Sequence, residues 1–124
     1  MKLAANISQA EWEVMRCLWD QAPLPAATLV ETLAAQRGWR PRTTRTLLDR
    51  LVRKGAVAFA LEGKRFLYRP RLSRAATVRR ESRSFMERVF GGEPAAMLIH
   101  LVRQTELTAA EIQELKRLLE EKEP

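Results

Sequence analysis

Apolar side chains recur at three- and four-residue intervals along most of this chain, and the period changes once. Trp12, Met15, Leu18 and Trp19 fall on one side of a helical wheel, just after Ser8-Gln9-Ala10-Glu11. That tetrad is a capping box, in which the serine hydroxyl accepts from the amide three residues on and the glutamate reaches back. The pattern predicts a first helix over about residues 9–20 that buries the stripe. Ala22-Pro23-Leu24-Pro25 stops it and allows only a short extended segment. A second helix follows with Leu29, Val30 and Leu33 inward, and Gly38 offers a left-handed end.

A third helix is expected from about Pro41 to Lys54, with proline tolerated in its first turn and Gly55 just past its end. The period then changes. Residues 56–61 and 66–69 read as two short strands around a tight basic turn at 62–65. Ser73 is placed to cap a fourth helix running to about Phe90, which Gly91-Gly92 breaks. The fifth helix, about 94–104, is apolar on most sides. A second capping box, Thr108-Ala109-Ala110-Glu111, opens a sixth with Ile112, Leu115, Leu118 and Leu119 along it.

Three helices and a hairpin within about 70 residues form the pattern of a winged helix-turn-helix. The expected fold is mainly α with a small β-hairpin: a winged helix-turn-helix over 1–71, then a three-helix C-terminal dimerisation region over 72–124. A short helix that is apolar nearly all round cannot face water. The C-terminal region is therefore expected to pack against a second copy, through Val78, Phe85, Val89, Phe90, Leu98, Ile99, Leu101, Val102, Ile112, Leu115 and Leu119.

Charge sharpens this picture. The 124 residues carry a net +7, but unevenly. Residues 37–90 hold 16 basic and 4 acidic side chains, so that stretch alone is +12. A local excess of this kind points to a polyanionic partner. The single cysteine, Cys17, forbids an intrachain disulfide and suits a reducing cytoplasm, and no apolar run suggests a signal peptide or a bilayer span. No nucleophile–base–orienter set, phosphate loop or paired-carboxylate cleft appears, so an enzyme is not expected. His100 has no second histidine or cysteine pair with which to complete a zinc site, and it reads as a buried, hydrogen-bonded core residue. Cys17 reads as a small buried hydrophobe, and Trp39 as packing at the foot of the third helix.

On a wheel of the third helix, Thr44, Leu47, Leu48, Leu51 and Val52 cluster on the core side. Arg42, Arg45, Thr46, Asp49 and Arg53 lie opposite, with Arg50 on the shoulder. Asp49 stands four residues from both Arg45 and Arg53, where it is expected to hold them in i,i+4 pairs. The planar fork of arginine suits guanine edges and phosphate, and short threonines permit close approach to a groove. The candidate DNA contacts are Arg40, Arg42, Thr43, Arg45, Thr46, Arg50 and Arg53, joined from the hairpin tip by Lys64 and Arg65, with Glu62 tempering the tip.

Five stretches in order resemble the BlaI/MecI/CopY penicillinase-repressor family of winged-helix regulators. They are Ile7 to Met15 with Leu18-Trp19, Arg42 to Leu51, Phe66-Leu67-Tyr68, Phe85 to Gly92, and Glu106-Leu107 with Glu111 to Leu115. The resemblance covers essentially the whole chain. It implies a homodimeric transcriptional repressor on an inverted-repeat operator in double-stranded DNA. It also implies a membrane sensor-protease as partner, whose signal leads to cleavage within the fifth helix. The family's Asn-Phe scissile pair falls here at His100-Leu101, so the bond is a candidate whose sequence departs from the pattern. The copper-responsive branch carries paired C-x-C motifs, and a chain with one cysteine cannot form them. Two other uses of the same architecture stay open from the residues alone. One is a ligand-gated sensor with a pocket between the C-terminal helices; the other is a protein-interaction module with an acidic partner.

Overall fold

The computed structural model describes residues 6–123, and its elements follow the predicted order. Helices α1 (Gln9–Gln21), α2 (Ala26–Arg37) and α3 (Pro41–Lys54) precede strands β1 (Val57–Glu62) and β2 (Arg65–Pro70). Helices α4 (Arg74–Phe90), α5 (Pro94–Gln104) and α6 (Ala109–Glu121) complete the chain. Both capping boxes form: Ser8 Oγ accepts from the Glu11 amide at 3.1 Å, and Thr108 Oγ1 from the Glu111 amide at 3.1 Å. Ser73 caps α4 through the Ala76 amide, 3.0 Å away. Gly38 and Gly55, at φ 70° and 82°, close α2 and α3 in the left-handed region that a Cβ disfavours.

The strands reach further than the sequence suggests. Glu62 pairs directly with Arg65, so the turn is only Gly63-Lys64. Gly63 takes the positive φ that a two-residue hairpin needs, at 68°. The proline-flanked Leu24 is itself extended and bridges Tyr68, amide to carbonyl in both directions at 3.1 and 2.8 Å. It thereby ties the α1–α2 connection to the hairpin.

One core holds these elements together. Val14, Met15 and Leu18 of α1 meet Leu29 and Leu33 of α2, Leu47, Leu48 and Leu51 of α3, and Ala56 and Val57 at the hairpin base. Val30, expected inward, is only half-buried, as are Trp12 and Trp19. The two indoles pack edge to face at 5.3 Å, and Trp19 Nε1 donates to the Leu72 carbonyl at 2.9 Å. The start of α4 joins the same body: Thr77 is buried, and Glu81 Oε1 accepts from the Ile7 amide at 3.0 Å. The chain divides into two compact units after Arg83, inside α4, whereas the change of element type suggested 71/72.

One contact in the first unit unites a cap with a charge. Glu11 is buried, and its Oε1 accepts from the Ser8 amide at 2.8 Å and from Lys54 Nζ at 2.5 Å. Lys54 also donates to the Asn6 carbonyl at 3.1 Å, so the C-terminal end of α3 is fastened to the N-terminal end of α1. Burial pushes the Glu11 carboxyl up, but the Lys54 ammonium and the Ser8 donors outweigh it and hold it below its ordinary 4.5. A depressed folded-state value stabilises the fold above pH 4.5, and that stability is lost as pH falls through the depressed value. Lys54→Met leaves the carboxylate buried without its cation. With Lys54 itself partly in solvent, the expected loss is about 1–3 kcal/mol at neutral pH. Urea unfolding at pH 7, 5 and 3 checks this: the variant should lose less stability on acidification than the parent, and equal losses would count against the pair.

Candidate nucleic-acid interface

The third helix builds this surface by burying its other side. Arg40 precedes it in an extended conformation, Pro41 occupies its first position, and Thr44, Leu47, Leu48 and Leu51 are buried against α1, α2 and the hairpin. Arg42, Thr43, Arg45, Thr46, Asp49, Arg50 and Arg53 are consequently exposed, as is Arg40. The predicted division of the wheel holds, with Val52 half-buried at its margin.

The internal pairing of that face does not. Among the described residues, no ion pair within 4.0 Å joins Asp49 to Arg45 or Arg53. An exposed i,i+4 pair contributes only ~0.3–0.5 kcal/mol, too little to hold long side chains against solvent and rotamer entropy. The guanidinium groups are therefore available to an external acceptor.

At the hairpin tip Lys64 and Arg65 are exposed. Glu62 does not neutralise them: its Oε2 accepts from Arg69 Nη1 at 2.6 Å. That bond lowers the Glu62 carboxyl and raises Arg69 from their ordinary values. Arg69 was not legible as a partner, because residues 62 and 69 meet only once the strand register places them on one face. The fold also brings candidates together across elements. Arg45 of α3 and Arg65 of β2 line one open cleft with Phe66, Tyr68, the first turn of α2 and Glu31. Asp49, Val52 and Arg53 line another with Phe59 and Tyr68. The aromatic residues of the hairpin were not read from the sequence as part of this surface.

Trp39 is half-buried against the core at the foot of α3, as expected, and its amide donates to the Leu33 carbonyl at 3.4 Å. In the C-terminal unit, Phe85, Val89, Leu98, Ile99, Leu101, Val102, Ile112, Leu115 and Leu119 are exposed, Phe90 is half-buried, and α5 and α6 contain no buried residue. Val78, on the part of α4 belonging to the first unit, is also exposed. His100 departs from expectation. It is exposed on α5 rather than buried, with its ring 5.8 Å from that of Phe90, and among the described residues α5 buries none of its side chains.

Known proteins place this arrangement. The family described as Penicillinase repressor matches residues 7–121. The penicillinase repressor of Bacillus licheniformis is 33% identical over 121 residues, covering 98% of this chain and 94% of its own. The methicillin resistance regulatory protein MecI of Staphylococcus aureus strain N315 is 32% identical over 117 residues, 94% of this chain and 95% of its own. Among solved structures, the DNA-binding domain of the repressor BlaI is similar at a TM-score of 0.55 and 34% identity, over 61% of this chain and 93% of that one. The monomeric Bacillus licheniformis BlaI in complex with the blaP half-operator gives a TM-score of 0.54 and 34% identity, again over 61% and 93%. No helix among the described residues is long and apolar enough to cross a membrane.

Cys17 is buried, as read from the sequence, at the margin of the core where it also lines a cleft with Glu13, Arg16, Asp20 and Gln36. Burial pushes its thiol up, and the Asp20 and Glu13 carboxylates push it further. Alkylation by iodoacetamide at pH 8 should accordingly be slow in the native protein and fast in urea. Rapid native alkylation would show the thiol to be reachable without opening the core.

Proposed function

The chain belongs to the penicillinase repressor family, and from that premise we propose a sequence-specific, DNA-binding transcriptional repressor that acts as a homodimer on an inverted repeat. The observation that carries the reading is the exposed face of α3, whose arginines have no carboxylate partner within the described chain. In this reading α3 enters a major groove, where Arg42, Arg45 and Thr46 reach base edges. Arg40, Thr43, Arg50 and Arg53 hold phosphates on either side, and Lys64 and Arg65 take the backbone beyond, so repression follows from occupying the operator.

The second copy is supported by the apolar faces of α5 and α6. Leu98 is 55% and Leu119 61% exposed, and apolar surface of that extent on a single chain favours association. The cleft between the two helices is lined by Ala95, Leu98, Ile99, Val102, Leu115 and Leu119, with Arg103 as its one polar side chain. A small-molecule sensor would need several converging polar groups there. The His100-Leu101 bond remains the candidate cleavage site for a membrane sensor-protease. It lies in a helix, and a protease that binds extended peptide requires that helix to open first.

Arg45→Ala should weaken binding to a site selected from random duplexes by ~1–3 kcal/mol while sparing random DNA. Lys64→Ala should weaken both alike and make the salt dependence shallower by about one. Gel-shift titrations from 50 to 200 mM salt distinguish these patterns, and identical losses on both DNAs would refute the assignment of Arg45 to bases. For the dimer, Leu98→Asp with Leu119→Asp should shift sedimentation from two copies to one and leave the melting of the first unit unchanged. A wild-type chain that sediments as a monomer at micromolar concentration would overturn that part.

A further inference from the structure

The aromatic face of the hairpin has no role in the contacts described so far. Register places Phe59 opposite Tyr68 and Leu61 opposite Phe66, all on the same face as Val57. Val57 and Tyr68 seat that face on the core, but Phe59, Leu61 and Phe66 continue outward and are 48, 61 and 49% exposed. The rings pack on one another, Phe59 to Phe66 edge on at 5.3 Å and Phe59 to Tyr68 at 5.5 Å, so ring contacts within the hairpin support the half-exposed face.

Its neighbours indicate what covers it. Both clefts beside α3 have this aromatic face as one wall, Phe59 in the one with Arg53 and Phe66 in the one with Arg45 and Arg65. Each combines apolar ring surface with a guanidinium and also holds one carboxylate, Asp49 in the first and Glu31 in the second. If α3 occupies a major groove and the hairpin meets the adjacent groove, the object between them is the backbone ridge of one DNA strand. Such a ridge alternates apolar deoxyribose with anionic phosphate, which the rings and the guanidinium groups of these clefts match, two arginines in the second against its single carboxylate.

We propose that Phe59, Leu61 and Phe66 pack on the deoxyribose faces of the strand passing between α3 and the hairpin, while Arg53 and Arg65 hold its phosphates. This rests on the DNA-binding reading above and adds to it an apolar contact surface on the hairpin. An apolar contact displaces no counterions, so its contribution is independent of salt, unlike that of every arginine around it.

The test uses the full chain and titrates Phe66→Ser, Leu61→Ser and Arg65→Ala against the selected site and a random duplex across salt concentrations. Phe66→Ser and Leu61→Ser should each lower affinity about three- to tenfold on both DNAs with the salt slope unchanged. Arg65→Ala should instead make the slope shallower by about one. Where Phe66→Ser lowers the melting temperature, Leu61→Ser decides alone, since its side chain lies mostly in solvent. Unchanged affinity, or a loss that comes with a shallower slope, overturns the proposal. So does wild-type DNA binding combined with lost repression in cells, which would assign the face to a protein partner. A wild-type chain that fails to bind duplex DNA at all is a different result, and it removes the DNA-binding reading itself.

Discussion

The orientation of α3 about its own axis is set by the burial of Thr44, Leu47, Leu48 and Leu51, and the surface chemistry of the first unit depends on it. One residue of helical rotation, 100°, would bring an arginine toward the core and expose a leucine. Burying an unpaired guanidinium costs far more than the few tenths of a kcal/mol that surface pairing returns. The leucine stripe therefore fixes which arginines face outward. The Glu11–Lys54 pair then fixes the end of the helix against α1, and Gly55 turns the chain into the hairpin.

Charge is distributed in the same spirit. Acidic side chains that lie near basic ones on the scaffold are used up there: Glu11 by Lys54, Glu13 by Arg37 at 2.6 Å, Glu62 by Arg69. The arginines of the α3 face have no such partner among the described residues. The positive excess of the middle of the chain is thus not merely local in sequence. Part of it stands on one helix face and the adjoining hairpin tip, through Arg40, Arg42, Arg45, Arg50, Arg53, Lys64 and Arg65, and the rest lies in and just before α4, through Arg71, Arg74, Arg79, Arg80, Arg83 and Arg88.

Much of the fold was legible because the signals that set it are local. The two capping boxes, the glycines after α2 and α3, Ser73 and the Gly91-Gly92 break each act within four residues of the boundary they mark. The division of α3 into two faces was legible for the same reason. The partners were not. Glu11 reads as a cap and is also half of a buried ion pair with a residue 43 positions away. Asp49 has ideal spacing to two arginines and pairs with neither, since spacing permits a contact without making it favourable. His100 reads as buried because its neighbours are apolar, yet among the described residues no side chain of α5 is buried.

By itself, then, the sequence determined the order and limits of the helices, the hairpin, and which side of each helix is apolar. Those follow from backbone periodicity and from caps that act over a single turn. Tertiary structure decided which charges are spent on the scaffold, where Arg45 and Arg65 come to line one cleft, and that an aromatic face of the hairpin stands beside α3. Each of those depends on a distance between elements far apart in the chain, and packing sets such distances after the local preferences have been satisfied.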